Sequence, residues 1–205
     1  MTEDNIHWYD GWIYDTLIAP NQDKLFGEIK QFIEPGSRII DVGCGTGRFS
    51  FSVADKCEHI TGIDLSIKNI EKANDNLSKN LVPNISFQHS DITGMNHNPV
   101  GHYDYAVLTY VIHEVDESDR IKLLLDIMKI ADNLIIGDYL IPLPFGLPKW
   151  MTTAVEFFAG KEHFRNFKNY EKNGGINYLA KKAGLIIDFE IQKRLRSSHL
   201  VVLTK

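Results

Sequence analysis

The chain has 205 residues, a formal net charge of −5 and a sequence pI near 5.9. This length, with 43% hydrophobic residues, suits one globular domain with a sizeable core, whereas two half-size domains would each be poorly buried. The acidic balance argues against a standing attraction to phosphate backbones or anionic lipid, so we expect neither a nucleic-acid partner nor a membrane partner.

The first residues carry no recognisable export signal. The stretch MTEDNIHWYDGWIYD lacks a basic flank, an apolar core of signal length and a small-residue cleavage site. No stretch approaches the roughly twenty apolar residues that a membrane span needs. Cys44 and Cys57 show neither metal-ligand nor disulfide spacing. We therefore expect a cytoplasmic protein, a monomer or homodimer, without a metal site.

Helical and strand patterns alternate along the chain. Apolar residues at helical spacing predict helices, and runs of buried-type residues predict strands. In chain order the predicted elements are helix 21–33, strand 38–42, helix 49–54, strand 59–64, helix 67–77 with Ser66 as its cap, strand 85–89, strand 105–111, helix 121–128, strand 133–136, helix 176–183 closed by Gly184, and strands 185–192 and 199–204.

This alternation predicts a doubly wound, Rossmann-like α/β fold. Parallel strands need crossover connections, so the helices cover both faces of a mostly parallel, seven-stranded sheet. The short join between the last two strands predicts that the last strand is antiparallel, at or near an edge. We expect a single domain over residues 1–205, with a helical cap at 1–34 and an inserted cap or lid at 141–175.

A glycine loop follows the first predicted strand. In the sequence DVGCGTG, residues 41–47, the glycines let the backbone turn tightly and approach a ligand. The dinucleotide fingerprint is broken, because Arg48 stands where its third glycine belongs. Asp41 would set an anion beside a pyrophosphate, whereas it suits a ligand with a cationic amino acid moiety.

Two further acids follow the next two strands. Asp64 ends a strand roughly twenty residues downstream, where a carboxylate can grip both ribose hydroxyls. Asp91 can accept the exocyclic amine of adenine, while Leu65 and Ile92 supply apolar faces. Three successive strand ends thus offer partners for an amino acid, a ribose and a base, the parts of S-adenosylmethionine. Each aspartate taken alone can instead be a turn or helix cap.

The ordered motifs resemble class I S-adenosylmethionine-dependent methyltransferases, most of all the small ones similar to quinone-biosynthesis C-methyltransferases. The motifs lie within residues 8–140, and the C-terminal strands agree in topology only. They are DVGCGTG at 41–47, Asp64, Asp91-Ile92 and YDYAVLTYVIHE at 103–114. The resemblance implies that the backbone of Gly43, Cys44, Gly45 and Gly47 lies under the methionine and ribose, with Asp41 near the amino group, Asp64 on the ribose, Asp91 on adenine and Thr109 near the sulfonium.

Candidate residues for the methyl acceptor are fewer. In-line methyl transfer needs alignment and exclusion of water, and a base only when the acceptor loses a proton. His113, after the fourth strand, and His163, inside the insertion, can titrate near neutrality. His113 can equally be a packing residue. Tyr14 resembles the tyrosine that closes over the methionine side in quinone-type enzymes, although its segment can also be a helix that merely packs on the sheet.

The insertion allows two interpretations. Phe164, Phe167 and Tyr170 can form a lid over the acceptor, or they can belong to an aromatic satellite core or a dimer surface. A nucleophilic role for Cys44 is disfavoured, because the backbone matters most at that position.

We expect a methyltransferase that acts on a small molecule, with a cofactor-binding regulatory protein as the alternative. A nicotinamide dehydrogenase is disfavoured by Asp41 and Arg48. Nucleic-acid methylation is disfavoured because TYVI, residues 109–112, stands where an Asn-Pro-Pro-Tyr tetrapeptide would be expected.

Overall fold

The computed structural model describes residues 19–97 and 101–205. Helices and strands alternate through most of this span, and three short 3-10 helices cover Ala54–Lys56, Ile92–His97 and Arg194–Arg196. The main elements are α1 (Ala19–Phe32), β1 (Ser37–Val42), α2 (Arg48–Val53), β2 (Cys57–Asp64), α3 (Ile67–Asn80), β3 (Ile85–His89), β4 (Tyr103–Thr109), α4 (Glu117–Ile130), β5 (Ala131–Tyr139), α5 (Leu147–Phe158), α6 (Lys161–Asn173), α7 (Gly175–Ala183), β6 (Ile186–Lys193) and β7 (Ser198–Thr204).

The strands form one seven-stranded sheet of order β3-β2-β1-β4-β5-β7-β6. Strands β1 to β5 pair in parallel, and β7 runs antiparallel to both of its neighbours, β5 and β6. The predicted doubly wound sheet with a reversed last strand is confirmed. The reversed strand lies next to the edge, between β5 and β6, because its short connection from β6 makes those two strands a hairpin.

Apolar side chains on alternate positions of the central strands build a core on each face of the sheet. On β4, Ala106 and Leu108 pack towards α4 and α7, whereas Val107 packs towards α1, α2 and α3. Strand β5 repeats this division, with Ile135 pointing to the opposite face from Leu134 and Ile136. Because successive strand residues point to opposite faces, near-continuous apolar runs are what a strand covered on both sides requires.

Local signals set several boundaries. Ser66 caps α3 by accepting a hydrogen bond from the backbone N–H of Asn69 at 3.3 Å, and Gly184 ends α7 at a φ of 69°, both as predicted. The predicted strand 105–111 was too long at its end. Strand β4 stops at Thr109, because Tyr110 takes a φ of 56° and turns the chain away from the sheet.

Most of the segment 141–175 is helical. Helices α5 and α6 occupy it and pack against one another at the carboxyl end of β5. Within residues 19–97 and 101–205, no helix combines the length and apolarity that a membrane crossing needs. The expected cytoplasmic location and oligomeric state stay predictions.

Candidate active site

The carboxyl ends of five parallel strands meet along one edge of the sheet. In spatial order these strands are β3, β2, β1, β4 and β5. The chain reverses its progress across the sheet between β1 and β4, and such a switch point opens a crevice outside the carboxyl ends. Asp91, Asp64, the glycine loop and Thr109 follow one another along this edge in the order of their strands.

The glycine loop turns through left-handed backbone conformations. Gly43, Gly45 and Gly47 have φ values of 74°, 54° and 86°. A Cβ added to Gly43 would lie 2.5 Å from Val111 Cγ2, so this glycine permits close packing of the loop against the segment after β4. A Cβ added to Gly45 would meet no atom within 4 Å. The loop is therefore closely packed at Gly43 and open at Gly45.

Asp41 is a buried carboxylate with one unused oxygen. Its Oδ2 accepts a hydrogen bond from Ser50 Oγ at 2.6 Å, whereas Oδ1 is buried and has no hydrogen-bond partner among residues 19–97 and 101–205. Burial raises the pKa of Asp41 to about 7, the Ser50 hydrogen bond opposes the rise, and the charge of Asp64 adds to it. A buried acceptor without a donor costs free energy, so Oδ1 fits a cationic or N–H group of a ligand.

Asp64 ties the end of β2 to the glycine loop. Its Oδ2 accepts from the backbone N–H of Gly45 at 2.8 Å, and its Oδ1 accepts from the backbone N–H of Ser66 at 2.7 Å. Asn69 Nδ2 also donates to Oδ1 at 3.4 Å, so the second lone pair of Oδ2 is the capacity left for a ribose hydroxyl. The side chain thereby orients the loop as well as presenting a carboxylate to the crevice.

The residues predicted for adenine lie on the β2 and β3 side of the edge. Leu65 is 76% exposed, which is unusual for an apolar side chain next to a buried strand, whereas Ile92 is buried. Asp91 is exposed and its Oδ1 accepts from Thr93 Oγ1 at 2.6 Å. Asp91 thus makes a local hydrogen bond of the kind expected if it were only a turn or helix cap. Its proposed contact with the adenine base stays a prediction.

Two other predicted residues are placed at β1 and β4. Cys44 is buried, and burial raises the pKa of its thiol far above the ordinary range. The thiol therefore stays protonated, which argues against a nucleophilic role. Thr109 is half-buried at the last position of β4, opposite Gly137 of β5. Tyr14 lies outside the described residues.

His113 lies at the centre of a buried polar cluster beyond β4 and β5. Its Nδ1 is 2.7 Å from Asp138 Oδ1, and its Nε2 is 3.6 Å from Glu156 Oε1 and 3.7 Å from Glu114 Oε1. Burial opposes its charge, but the carboxylates of Asp138 and Glu156 outweigh burial and raise the pKa of His113 to about 9. The imidazole is therefore charged at neutral pH and cannot act there as a free base.

Glu156 reaches this cluster from α5. Its Oε1 accepts from the Tyr139 hydroxyl at 2.8 Å, and its Oε2 is buried and has no hydrogen-bond partner in the part of the chain that the structure describes. Burial raises the pKa of Glu156, an effect that the charge of His113 and the Tyr139 hydrogen bond oppose. Glu156 Oε2 is thus, like Asp41 Oδ1 at the glycine loop, a buried carboxylate oxygen that lacks a donor among the described residues.

His163 approaches the same cluster from α6. Its side chain is 37% exposed, and its Nδ1 lies 3.6 Å from Glu114 Oε1. The neighbouring Glu114 carboxylate raises the pKa of His163, while partial burial lowers it. The structure therefore brings both predicted histidines to one carboxylate, with His113 buried and His163 partly open to solvent.

Arg120 anchors the segment that carries His113. The guanidinium is buried and donates to the backbone oxygens of Val115 at 2.9 Å, His113 at 3.3 Å and Asn166 at 2.7 Å. Asn166 in turn donates to the backbone oxygen of Glu114 at 2.8 Å. These bonds hold helix α6 against the loop after β4, so the insertion forms a wall of the cluster.

The aromatic side chains of α6 have different environments. Phe167 and Tyr170 are buried, and each ring centroid lies 6.3 Å from that of His113. Phe164 is half-buried and contacts Phe157 of α5 at a centroid distance of 5.5 Å. Phe167 and Tyr170 therefore belong to the core beneath His113, as in the satellite-core interpretation, rather than to the surface of a lid.

The sequence patterns did not single out four residues of the cluster around His113, which are Arg120, Asp138, Tyr139 and Glu156. Asp138 could have been found, because it stands at the end of β5 as Asp41 and Asp64 stand near the ends of their strands. Glu156 had no such signal: it lies in a largely apolar run, and only the packing of α5 buries it.

Comparison with known proteins decides the family. A methyltransferase domain model matches residues 33–180, which is more than half of the chain and includes the whole crevice. The chain belongs to this methyltransferase family. The predicted resemblance to class I S-adenosylmethionine-dependent methyltransferases is confirmed.

The N-methyltransferase NodS from Bradyrhizobium japonicum WM9, solved with S-adenosylhomocysteine, shares the fold with a TM-score of 0.66 at 14% identity, over 96% of this chain and 92% of that chain.

Curated relatives match only part of this methyltransferase. The 23S rRNA (uracil(1939)-C(5))-methyltransferase RlmD of Vibrio parahaemolyticus is 33% identical over 76 residues, which is 36% of this chain and 17% of the relative. Phosphoethanolamine N-methyltransferase 1 of Arabidopsis thaliana is 31% identical over 118 residues, which is 54% of this chain and 23% of the relative. The chain thus spans less than a quarter of the length of either relative.

These relatives correct one prediction. No nucleic-acid partner was expected from the net charge and the absent tetrapeptide, but several similar proteins are RNA methyltransferases. Net charge reports the average field of a molecule, whereas an RNA contact depends on the local surface, so the overall charge of this methyltransferase does not exclude RNA.

Proposed function

We propose that this methyltransferase binds S-adenosylmethionine in the crevice between β1 and β4 and transfers its methyl group to an acceptor held beneath α5 and α6. The observation that carries the proposal is Asp41 Oδ1, a buried acceptor without a donor beside the glycine loop. When bound, the cofactor supplies a methyl group on a positively charged sulfur.

The residues of the crevice fit this cofactor. Asp41 would receive its amino group, and the open side of Gly45 gives the loop backbone room for the ligand. Asp64 would bind the ribose through Oδ2, whose second lone pair the Gly45 N–H leaves free. Leu65 and Ile92 would contact the base, Asp91 would accept from its amine, and Thr109, with the backbone of Gly43, Cys44 and Gly47, would border the methionine side.

The acceptor side of the chain would orient the nucleophile and exclude water. His113, charged and held by Asp138, would position groups of the acceptor, and of the two histidines the partly exposed His163 is the better candidate for a base. Tyr14 would close the methionine side. The buried wall of α5 and α6 supports alignment as the main contribution of the protein, because in-line transfer depends on geometry.

A small molecule is our first candidate for the acceptor. The polar cluster around His113 is buried, and a compact acceptor can enter such a site more easily than a base within a folded RNA. RNA is the second candidate, since RNA methyltransferases are among the similar proteins. A regulatory protein that binds the cofactor without turnover is the competing function.

Calorimetry with S-adenosylhomocysteine and a transfer assay with methyl-labelled S-adenosylmethionine test the proposal. We expect binding, and label in either the small-molecule fraction or the RNA fraction of a cell extract. Binding without label in any fraction would favour the regulatory function. Absence of binding by the folded protein would refute the cofactor assignment.

A further inference from the structure

Helix α5 buries polar side chains and exposes apolar ones. Glu156 and Thr152 are 2% and 8% exposed, whereas Trp150, Phe157 and Phe158 are 73%, 61% and 68% exposed. Burial of a carboxylate costs free energy, and exposure of aromatic rings forgoes hydrophobic stabilisation. The Tyr139 hydrogen bond and the charge of His113 offset part of this cost, and the inward placement of Glu156 is consistent with a role towards a ligand.

The unused oxygen of Glu156 defines what that ligand must offer. Oε1 accepts from the Tyr139 hydroxyl, and the remaining oxygen, Oε2, is buried and has no hydrogen-bond partner among the described residues. A carboxylate oxygen only accepts hydrogen bonds. The missing partner is therefore an N–H or O–H group that reaches the cluster around His113.

The surrounding charges favour a cation over a neutral or anionic group. Three carboxylates, those of Glu114, Asp138 and Glu156, lie within 3.7 Å of the His113 ring nitrogens. Facing these carboxylates are the imidazole of His113, the buried guanidinium of Arg120 and His163, whose pKa the Glu114 carboxylate raises. A phenolate or enolate acceptor would add another anion to these carboxylates, whereas an ammonium group would balance them.

We propose that Glu156 binds the protonated amine of a small methyl acceptor and removes its proton, so that the substrate class of this enzyme is a small basic amine. This inference rests on the proposed function. The N–H bond breaks, the proton passes to Oε2, and the electron pair stays on nitrogen. That pair forms the N–CH₃ bond as the S–CH₃ bond breaks with its electrons remaining on sulfur, and the product leaves as a methylammonium ion.

The environment of Glu156 supports proton removal. Burial raises the pKa of Glu156, while His113 and Tyr139 lower it and Glu114 and Asp138 raise it further. A carboxylate with a raised pKa is a better proton acceptor at neutral pH. Tyr139 holds the other oxygen and so fixes the direction in which Oε2 points.

An acylation experiment tests the substrate class with the unmodified protein. A small-molecule cell extract is divided, and one half is treated with acetic anhydride and then with hydroxylamine, which cleaves phenyl esters and thioesters, so that only the primary and secondary amines stay acylated and lose their basicity. We expect labelled methyl transfer to the untreated half and at least a tenfold loss in the acylated half. Transfer that survives acylation, occurs only with RNA or is absent from the extract would overturn the amine assignment. Failure to bind S-adenosylhomocysteine would instead overturn the proposed function.

A conservative variant tests the residue. Glu156→Gln keeps an oxygen for the Tyr139 hydroxyl but cannot take a proton, so transfer to the amine fraction should fall about a hundredfold, within the range of general-base contributions. Affinity for S-adenosylhomocysteine and the unfolding midpoint should change little. Glu162→Gln, at an exposed position of α6, is the matched control and should match wild type. Undiminished transfer by Glu156→Gln, or an equal loss of cofactor affinity, would refute the role of Glu156.

Discussion

His113 Nδ1 lies 2.7 Å from Asp138 Oδ1, and both side chains are at most 2% exposed. Asp138 also accepts from the backbone N–H of His113 at 3.3 Å and of Tyr139 at 2.6 Å. The carboxylate is therefore used to orient and charge a single imidazole. Asp138 lies near the end of β5 and His113 lies in the loop after the neighbouring strand β4, so this pair joins that loop to the sheet.

Replacement of His113 by glutamine should remove a pH-dependent part of the folding stability. Folding raises the pKa of this imidazole from 6.5 to about 9, so its stabilisation is complete below the lower value and is lost as the pH rises through the upper one. At about 1.4 kcal/mol per pKa unit, wild type should exceed the variant by roughly 3 kcal/mol at low pH. Urea unfolding across this pH range measures the difference.

The control for this prediction is His102→Gln. His102 pairs with Asp132 at 2.8 Å, but its side chain is 49% exposed, and exposed pairs contribute little. A stability difference for His113→Gln that does not vary with pH would contradict the assigned ionisation.

Asp41→Asn should stabilise the free protein and weaken cofactor binding. Folding raises the pKa of Asp41 from 3.8 to about 7, so its burial costs stability progressively as the pH rises between these values and fully above the upper one. The amide carries no charge, so we expect a gain on the order of 2 kcal/mol at neutral pH, after allowance for a buried amide N–H without a partner. Unfolding curves and calorimetry with S-adenosylhomocysteine measure the two effects. A variant that lost stability at neutral pH would disprove this account.

Asp64→Ala should weaken affinity for S-adenosylhomocysteine by about 1 to 3 kcal/mol, the usual loss when a polar partner is left unpaired. The variant loses the proposed ribose contact and also the bond to the Gly45 N–H. Asp104→Ala is the matched control, because Asp104 Oδ2 accepts from the Arg38 N–H at 2.6 Å, far from the crevice. Equal affinities of the Asp64 and Asp104 variants by calorimetry would disprove the ribose assignment.

Two glycine variants should affect different properties: Gly45→Ala should mainly weaken cofactor binding, and Gly43→Ala should mainly lower the stability of the fold. A methyl group at Gly45 enters open space, so the fold should lose only about 1 to 2 kcal/mol for the left-handed backbone while cofactor binding falls sharply. A methyl group at Gly43 collides with Val111 and should destabilise the fold more. Thermal unfolding of both single variants and of the double variant Gly43→Ala/Val111→Ala measures this difference. Truncation of Val111 should recover part of the stability that Gly43→Ala loses. Unaltered cofactor affinity in Gly45→Ala would count against the crevice as the binding site.

Hydrophobic periodicity and local capping signals were sufficient to predict most of the fold. The alternation of helices and strands, the cap at Ser66 and the end at Gly184 depend on neighbouring residues, so they can be recognised without tertiary structure. The end of β4 was misplaced, because Val111 is apolar enough to extend the strand pattern although Tyr110 turns the chain first. The apolar pattern does not report a backbone turn made by a non-glycine residue.

The two halves of the site differed in how far they could be predicted. Three acids, Asp41, Asp64 and Asp91, lie at or just beyond the carboxyl ends of parallel strands, and these ends must meet at one edge, so the positions of the acids follow from topology. Asp138, Glu156 and Arg120 come together through the packing of α4, α5 and α6 against the end of β5. Their sequence separations carry no such rule, and Glu156 has the appearance of a solvated residue in an apolar helix.

The sequence by itself determined the doubly wound sheet, the glycine loop and the order of acids along its edge, because hydrophobic periodicity and parallel connections leave few alternatives. Only the tertiary structure decided which carboxylates are buried, which oxygens lack donors and why His113 is charged. These properties depend on distances between residues far apart in the chain and on the exclusion of water, and neither quantity is present in the spacing of amino acids along the chain.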